Sequence, residues 1–120
     1  MFKVIICGSR NFNNYDLLKT KCDYYLSRFL KSEVTVISGT AKGADSLGEQ
    51  YAIEKSFEIL KYPADWDRYG KSAGYKRNQQ MAEIADGVIA FWDGISKGTN
   101  HMINIAKEKN IRVIVIKYEN

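Results

Sequence analysis

A chain of 120 residues is long enough to bury one two-faced core and too short for a second, so a single domain spanning 1–120 has to carry the function. Its composition, 45% hydrophobic and 27% charged with one proline, excludes a disordered chain, and no apolar run approaches the roughly 20 residues of a membrane-spanning helix. A net charge of +4 with a pI near 9.0 suits a polyanionic partner, whether a nucleotide, a nucleic acid or a phosphate group.

Met1 leads straight into a strand-like segment without a signal-peptide pattern. Cys7 and Cys22 fall in an apolar run and on an apolar helical stripe, where core thiols belong. Both features predict a cytoplasmic protein with reduced cysteines and no membrane partner.

In chain order, β-branched and apolar runs at residues 3–7, 33–38, 57–62, 87–92 and 112–117 predict five strands buried on both faces, the pattern of a parallel sheet covered by helices. Helical spacing lies between them: Leu18, Cys22, Tyr25, Leu26 and Phe29, then Ala44, Leu47, Tyr51 and Ala52. The later pair are marked by Arg77, Met81, Ile84 and Ala85, and by Met102, Ile105 and Ala106. This alternation predicts an α/β, Rossmann-like three-layer sandwich, a five-stranded parallel sheet with helices on both faces and right-handed crossovers. The one long irregular stretch is 63–73, and an excursion of that length favours a functional role.

In open α/β sheets ligands bind beyond the carboxyl ends of the strands, so the loops that follow the strands hold the candidate site. The first offers Gly8, Ser9, Arg10 and Phe12; the Arg10 guanidinium grips a phosphate with two parallel hydrogen bonds, or pairs with a local carboxylate. The second offers Gly39 and Gly43, which let backbone approach an anion, hydroxyls from Ser38 and Thr40, and a counter-charge from Lys42. Gly43 is the predicted position of closest approach. Asp45 belongs to this loop or caps the helix of a plain strand-to-helix turn.

The third loop carries Asp65 and Trp66, the latter the best stacking platform for a nucleobase; Phe12, Tyr69, Tyr75 and Trp92 are the other aromatics interleaved with the charge, where planar side chains beside basic ones fit stacking, with Tyr75 and Trp92 also readable as packing. Arg77 is a second clamp or a solvated helix residue. The fourth loop repeats the design of the second with Asp93, Gly94, Ser96, Lys97, Gly98 and Thr99. Two such loops at neighbouring strand ends are more specific than either alone. The chain has no GxxxxGK[ST] string and no GxGxxG after the first strand, which argues against a P-loop and an ordinary dinucleotide dehydrogenase.

Catalytic residues stay unassigned. His101, the single histidine, reads as a surface or packing residue, and no metal-ligand spacing or nucleophile, base and orienter set is present. Asp65, Asp67 and Asp93 form a carboxylate group for acid/base or magnesium work, or serve as caps and ion pairs. No cofactor is firmly implied; magnesium is the ion that would accompany a phosphate ligand.

The strings GSRNF at 8–12, SGTAKGAD at 38–45, PADW at 63–66, GYKRNQ at 74–79 and WDGISKGT at 92–99 together resemble the YspA-type branch of the SLOG superfamily, over nearly the whole chain. The resemblance implies a Rossmann-like fold that binds nucleotides, nucleic acid or ADP-ribose-derived signals. It places the family's first glycine turn on Gly8, Ser9 and Arg10, its phosphate loop on Ser38, Gly39, Lys42, Gly43 and Asp45, and its fourth-strand loop on Asp93, Gly94, Ser96, Gly98 and Thr99. The lonely-guy phosphoribohydrolases of the superfamily carry PGGxGTxxE there, with a catalytic glutamate. Here Gly98 and Thr99 match the GT, and Met102 stands in the glutamate's place, which argues against that mechanism.

The function this implies is binding of a phosphate-bearing nucleotide or nucleotide-derived, ADP-ribose-like small molecule, as a sensor or sequestering module. SGTAKGAD is also similar to the corresponding DprA loop, so DprA-like single-stranded nucleic-acid binding is one alternative, and nucleotide or nucleoside-monophosphate hydrolysis is another. Members commonly pair through helices, and Tyr24, Tyr25 and Phe29 give the first helix more aromatic surface than one sheet face needs, which predicts a homo-oligomer, dimer or tetramer.

Overall fold

The structure, a computed structural model, describes residues 1–119 and contains the predicted three-layer α/β fold. Its strands are β1 (Phe2–Gly8), β2 (Val34–Ser38), β3 (Glu58–Lys61), β4 (Gly87–Trp92) and β5 (Arg112–Lys117). Its α-helices are α1 (Tyr15–Leu26), α2 (Ala44–Lys55), α3 (Trp66–Tyr69), α4 (Ala73–Ile84) and α5 (Lys97–Glu108). All strand pairs are parallel, in the order β3-β2-β1-β4-β5. The chain runs outward from β1 to β3, then returns to place β4 on the other side of β1. The strand order therefore reverses between β1 and β4, which opens a crevice at their carboxyl ends.

Alternate side chains of β1 divide the core in two. Val4 and Ile6 pack with Leu18 and Cys22 of α1 and Tyr51 of α2, whereas Ile5 and Cys7 pack with Met81 of α4 and Met102 and Ile103 of α5. Complete burial of each such side chain contributes about 1.5–3 kcal/mol, so the central strands hold the sheet together from both faces. Both cysteines are buried and unpaired, as predicted; burial pushes the Cys22 thiol up to about 12 and the Cys7 thiol higher still, so both stay protonated.

Three expectations need correction. The strands are not all buried on both faces: β3 and β5 are the sheet edges and are largely exposed or half-buried, because each lies beyond part of the helical cover. The stretch 63–73 is not irregular throughout. Asp65 accepts a hydrogen bond from the Arg68 N–H at 3.1 Å and so starts α3, and a 3₁₀ turn at Gly70–Ser72 leads into α4. The aromatic surplus on α1 reduces to Tyr24, which is exposed; Phe29 stacks on Phe2 with ring centroids 4.5 Å apart, and Tyr25 packs against the core. No described helix is long and apolar enough to cross a membrane.

Candidate functional site

A cavity of about 510 Å³ opens at the β1/β4 switch point. From the first loop, Gly8, Ser9 and Arg10 line it. Ser9 is buried and joins three elements. Its N–H donates to the Phe91 carbonyl at 3.0 Å, its carbonyl accepts from the Ala44 N–H at 3.3 Å, and its Oγ accepts from the Asp93 N–H at 3.1 Å. Arg10, next in the chain, is exposed on the wall. Phe12 does not line the cavity: the turn closed by its N–H onto the Ser9 carbonyl sends its ring into the core, where it stacks on Phe91 at 5.0 Å and meets Tyr118 at 4.7 Å.

The second loop faces the cavity with Ala41 and Asp45 only. Ser38 is buried, its Oγ donating to Glu49 at 2.6 Å and accepting from the Thr40 N–H at 3.0 Å, so its hydroxyl shapes the loop. Thr40, with φ of 62°, and the exposed Lys42 also lie off the wall. Gly43 makes its close approach to the protein itself. A Cβ there would lie 2.4 Å from the Ser9 carbonyl oxygen and 2.5 Å from that of Arg10, so this glycine seats the first loop on the start of α2. Asp45 does not cap α2, which begins one residue earlier. Its Oδ2 accepts from the Ala41 N–H at 3.1 Å and fastens the loop in front of the helix.

Asp45 is buried beside the Arg77 guanidinium, with Glu49 and Arg10 as further charged neighbours. Burial pushes its carboxyl up to about 6, against the opposing pull of the Ala41 N–H and the two arginines. A carboxyl held more tightly protonated in the folded than in the unfolded chain adds stability below pH about 4, and that contribution fades as pH rises through about 6. Asp45→Asn keeps an acceptor for the Ala41 N–H and removes the titration. Its melting temperature should match that of the unsubstituted chain at pH 4 and exceed it at pH 7, by an amount equivalent to roughly 3 kcal/mol. Thermal melts across that range check this, and a difference independent of pH would refute it.

From the third loop, Trp66 lines the cavity half-exposed and packs over Gly74, where a Cβ would sit 3.6 Å from its ring. Asp65 lies off the wall as the cap of α3. Helix α4 supplies Tyr75, Arg77, Asn78 and Met81. Arg77 is not the solvated helix residue of the two predicted alternatives: it lines the cavity half-buried, its Nη1 donates to the Gly39 carbonyl and its Nε to Asn78 Oδ1 at 3.1 Å, and burial lowers its pKa against the pull of Asp45. Gly39 itself stays off the wall and leaves room for that guanidinium.

The fourth loop contributes Asp93, Ser96, Gly98 and Thr99. Asp93 Oδ1 accepts from the Ser96 and Ile95 N–H groups at 2.8 and 2.9 Å, which lowers its pKa. Ser96 then caps α5. Gly98, in the first turn of α5, has open space where a Cβ would be, whereas Gly94, with φ of 84°, and Lys97 lie off the wall. The carboxylates Asp65, Asp67 and Asp93 are not gathered: among the described residues no group of three or more His, Cys, Asp or Glu is placed to hold a metal ion. Met102, at the position of the lonely-guy glutamate, is buried in the cavity wall and offers a thioether that moves no proton.

Sequence reasoning missed Asn78, Asn11 and the floor residues Cys7 and Met81, and left Tyr75 open. Tyr75 lines the cavity, with its ring tilted against His101 at 4.5 Å. Asn78 carried a readable signal, since it is the polar member of the buried stripe Ala73, Asn78, Met81 and Ala82 on α4.

Residues 2–69 match the family model described as YspA, cpYpsA-related SLOG family. The chain belongs to that family. The chain is similar to the Gene 61 protein of Mycobacterium phage D29, with 33% identity over 122 residues, covering 95% of each chain. Among solved structures the SLOG chain is similar to DNA processing protein A of Streptococcus pneumoniae, with a TM-score of 0.74, 20% identity and cover of 99% of this chain and 51% of that one. DNA processing protein A of Helicobacter pylori, whose structure concerns its single-stranded DNA binding mode, gives 0.69, 21%, 98% and 66%. At those identities the likeness shows the fold, and the chain spans about half to two-thirds of each DprA chain.

Proposed function

We propose that the cavity binds a phosphate-bearing nucleotide or nucleotide-derived, ADP-ribose-like small molecule, and that the protein acts as a sensor or sequestering module. One observation carries this reading. The wall joins the exposed cation Arg10, the open first turn of α5 at Gly98 and the half-exposed Trp66 and Tyr75, at the strand-order reversal where α/β sheets bind such ligands. Phosphate would be met by the guanidinium and the backbone N–H groups of the helix start, and a base by the aromatic rings. Magnesium would enter with the phosphates, as part of the ligand.

A second reading, single-stranded nucleic-acid binding, has its own observation. Beyond the mouth, Arg68 and Lys76 lie over the Tyr69 ring at 5.1 and 4.8 Å, next to Lys71 and Trp66, a basic and aromatic surface on which bases stack. The DprA likeness and that protein's single-stranded DNA binding mode point the same way.

Parallel titration of ADP-ribose and a fluorescent oligonucleotide at low and near-physiological salt tests the choice. A single pocket gives a shallow salt slope and sharp discrimination among small ligands, whereas an extended strand releases several counterions and loses affinity steeply. Tight oligonucleotide binding with a steep slope, and none by ADP-ribose or mononucleotides, would replace the first reading with the second. Light scattering on the same samples reports on assembly, for which we propose the Tyr24 face of α1 as the contact between copies.

A further inference from the structure

Arg77 and Asn78 are consecutive on α4, yet their hydrogen bonds reach two loops that are far apart in sequence. Arg77 Nη1 donates to the carbonyl of Gly39, in the loop after β2. Asn78 Nδ2 donates at 3.2 Å to the carbonyl of Gly98, in the first turn of α5. The two side chains are themselves joined by Arg77 Nε donating to Asn78 Oδ1 at 3.1 Å. A guanidinium only donates, so this bond fixes which end of the Asn78 amide is oxygen. The amide nitrogen is thereby directed at both Gly98 and His101 Nδ1, the latter also at 3.2 Å.

We propose that Arg77 and Asn78 are positioning residues: a two-residue brace that ties the loop after β2 to the start of α5 and sets the width of the cavity between them. Three features outside the hydrogen bonds fit this role. Asn78 is 7% exposed, so its amide is committed to protein partners and has little to offer solvent. Gly39 accommodates the brace, since a Cβ there would lie 2.7 Å from Arg77 Nη1 and 2.8 Å from Asp45 Oδ2. Asp45 lies beside the guanidinium and counters its charge.

The brace also sets the state of His101. With Nδ1 accepting from Asn78, the neutral ring carries its proton on Nε2, and burial lowers the pKa against the pull of Glu108 while Tyr75 covers the ring. Nothing in this arrangement needs the ligand to be present. It makes the two loops one preformed unit, which reduces the ordering cost of binding.

The test uses two variants that break opposite ends. Asn78→Asp keeps an acceptor for Arg77 Nε and puts a carboxylate oxygen against the Gly98 carbonyl and His101. Gly39→Ala crowds Arg77 Nη1 and Asp45 Oδ2 and pushes the guanidinium from its carbonyl, while the Asn78 bonds to Gly98 and His101 keep both partners. Hydrogen exchange on the ligand-free full chain should speed at least tenfold at residues 97–100 in Asn78→Asp and at residues 39–42 in Gly39→Ala, each with the other loop much less affected. Nitrogen NMR should find neutral His101 protonated on Nε2 in the unsubstituted protein, and in Asn78→Asp protonated on Nδ1 or doubly protonated. Exchange unchanged at both loops, or raised uniformly across the chain, overturns the brace, and so does an Nδ1–H tautomer in the unsubstituted protein, which needs no variant to fold. Only the last arm rests on the proposed ligand class: ADP-ribose affinity should fall at least tenfold in both variants. Absence of ADP-ribose binding by the unsubstituted protein would count against the proposed ligand, while the exchange and NMR arms still decide the brace.

Discussion

Gly43→Val is expected to destabilise the protein strongly, lowering the melting temperature by roughly 10–20 °C. The residue sits at φ of 78°, which a β-branched side chain adopts only at a cost of about 1–3 kcal/mol. The Cβ would also lie 2.4 and 2.5 Å from two backbone oxygens, those of Ser9 and Arg10. Backbone cannot rotate away as a side-chain tip can, so the first loop must move off α2, adding a further 1–3 kcal/mol or so. The Ala44 N–H to Ser9 carbonyl bond is the contact most exposed to that movement. Gly98→Ala is the paired control. It meets no protein atom within 4 Å and replaces glycine inside a helix, so stability should hold or rise by up to about 1 kcal/mol, while the added methyl group enters the space where α5 would meet a phosphate. Differential scanning calorimetry of the two variants checks the contrast, and an unchanged melting temperature for Gly43→Val would show that the loop is not seated as described.

That contrast also shows what the sequence could and could not tell. Gly43 and Gly98 both read as glycines of anion-binding loops, because a glycine signals a need for space without naming what fills it. In one case the space holds the neighbouring loop; in the other it is open. The fold was legible for a simpler reason. Runs such as residues 87–92 are apolar on both faces, and only a covered parallel sheet buries both, so the strands and their order along the chain could be read directly. Spatial order was not fixed by the runs, and it is the spatial order that gathers the first and fourth loops at one crevice and leaves Lys42 and Lys97 outside it. Phe12 misled because an aromatic beside an arginine looks like a stacking platform, whereas the turn at Ser9 sends it inward. Asn78 was overlooked because its importance lies in partners at Gly98 and His101, 20 and 23 positions away, and no local pattern reports such contacts.

Arg10→Ala should separate binding from folding. Arg10 is exposed, so its removal should change stability by no more than about 0.5 kcal/mol. It nevertheless stands on the cavity wall directly after Ser9, whose backbone is held to β4 and α2, so the guanidinium extends from a well-anchored point. The other arginine on the wall, Arg77, has its Nη1 and Nε engaged by Gly39 and Asn78 and its charge countered by Asp45. The phosphate of the proposed ligand therefore depends on Arg10 for a two-pronged, charge-assisted grip that Lys71, the other exposed cation on the wall, cannot supply as a point charge; each such hydrogen bond is worth about 1.5–3 kcal/mol. Affinity for ADP-ribose should fall about 10- to 100-fold, with an unchanged melting temperature. Arg10→Lys, which keeps the charge and loses the planar fork, should fall between the two. Isothermal titration of the three proteins at one salt concentration measures this. Equal affinity across the series would remove Arg10 from the site and shift the phosphate toward the α5 start alone.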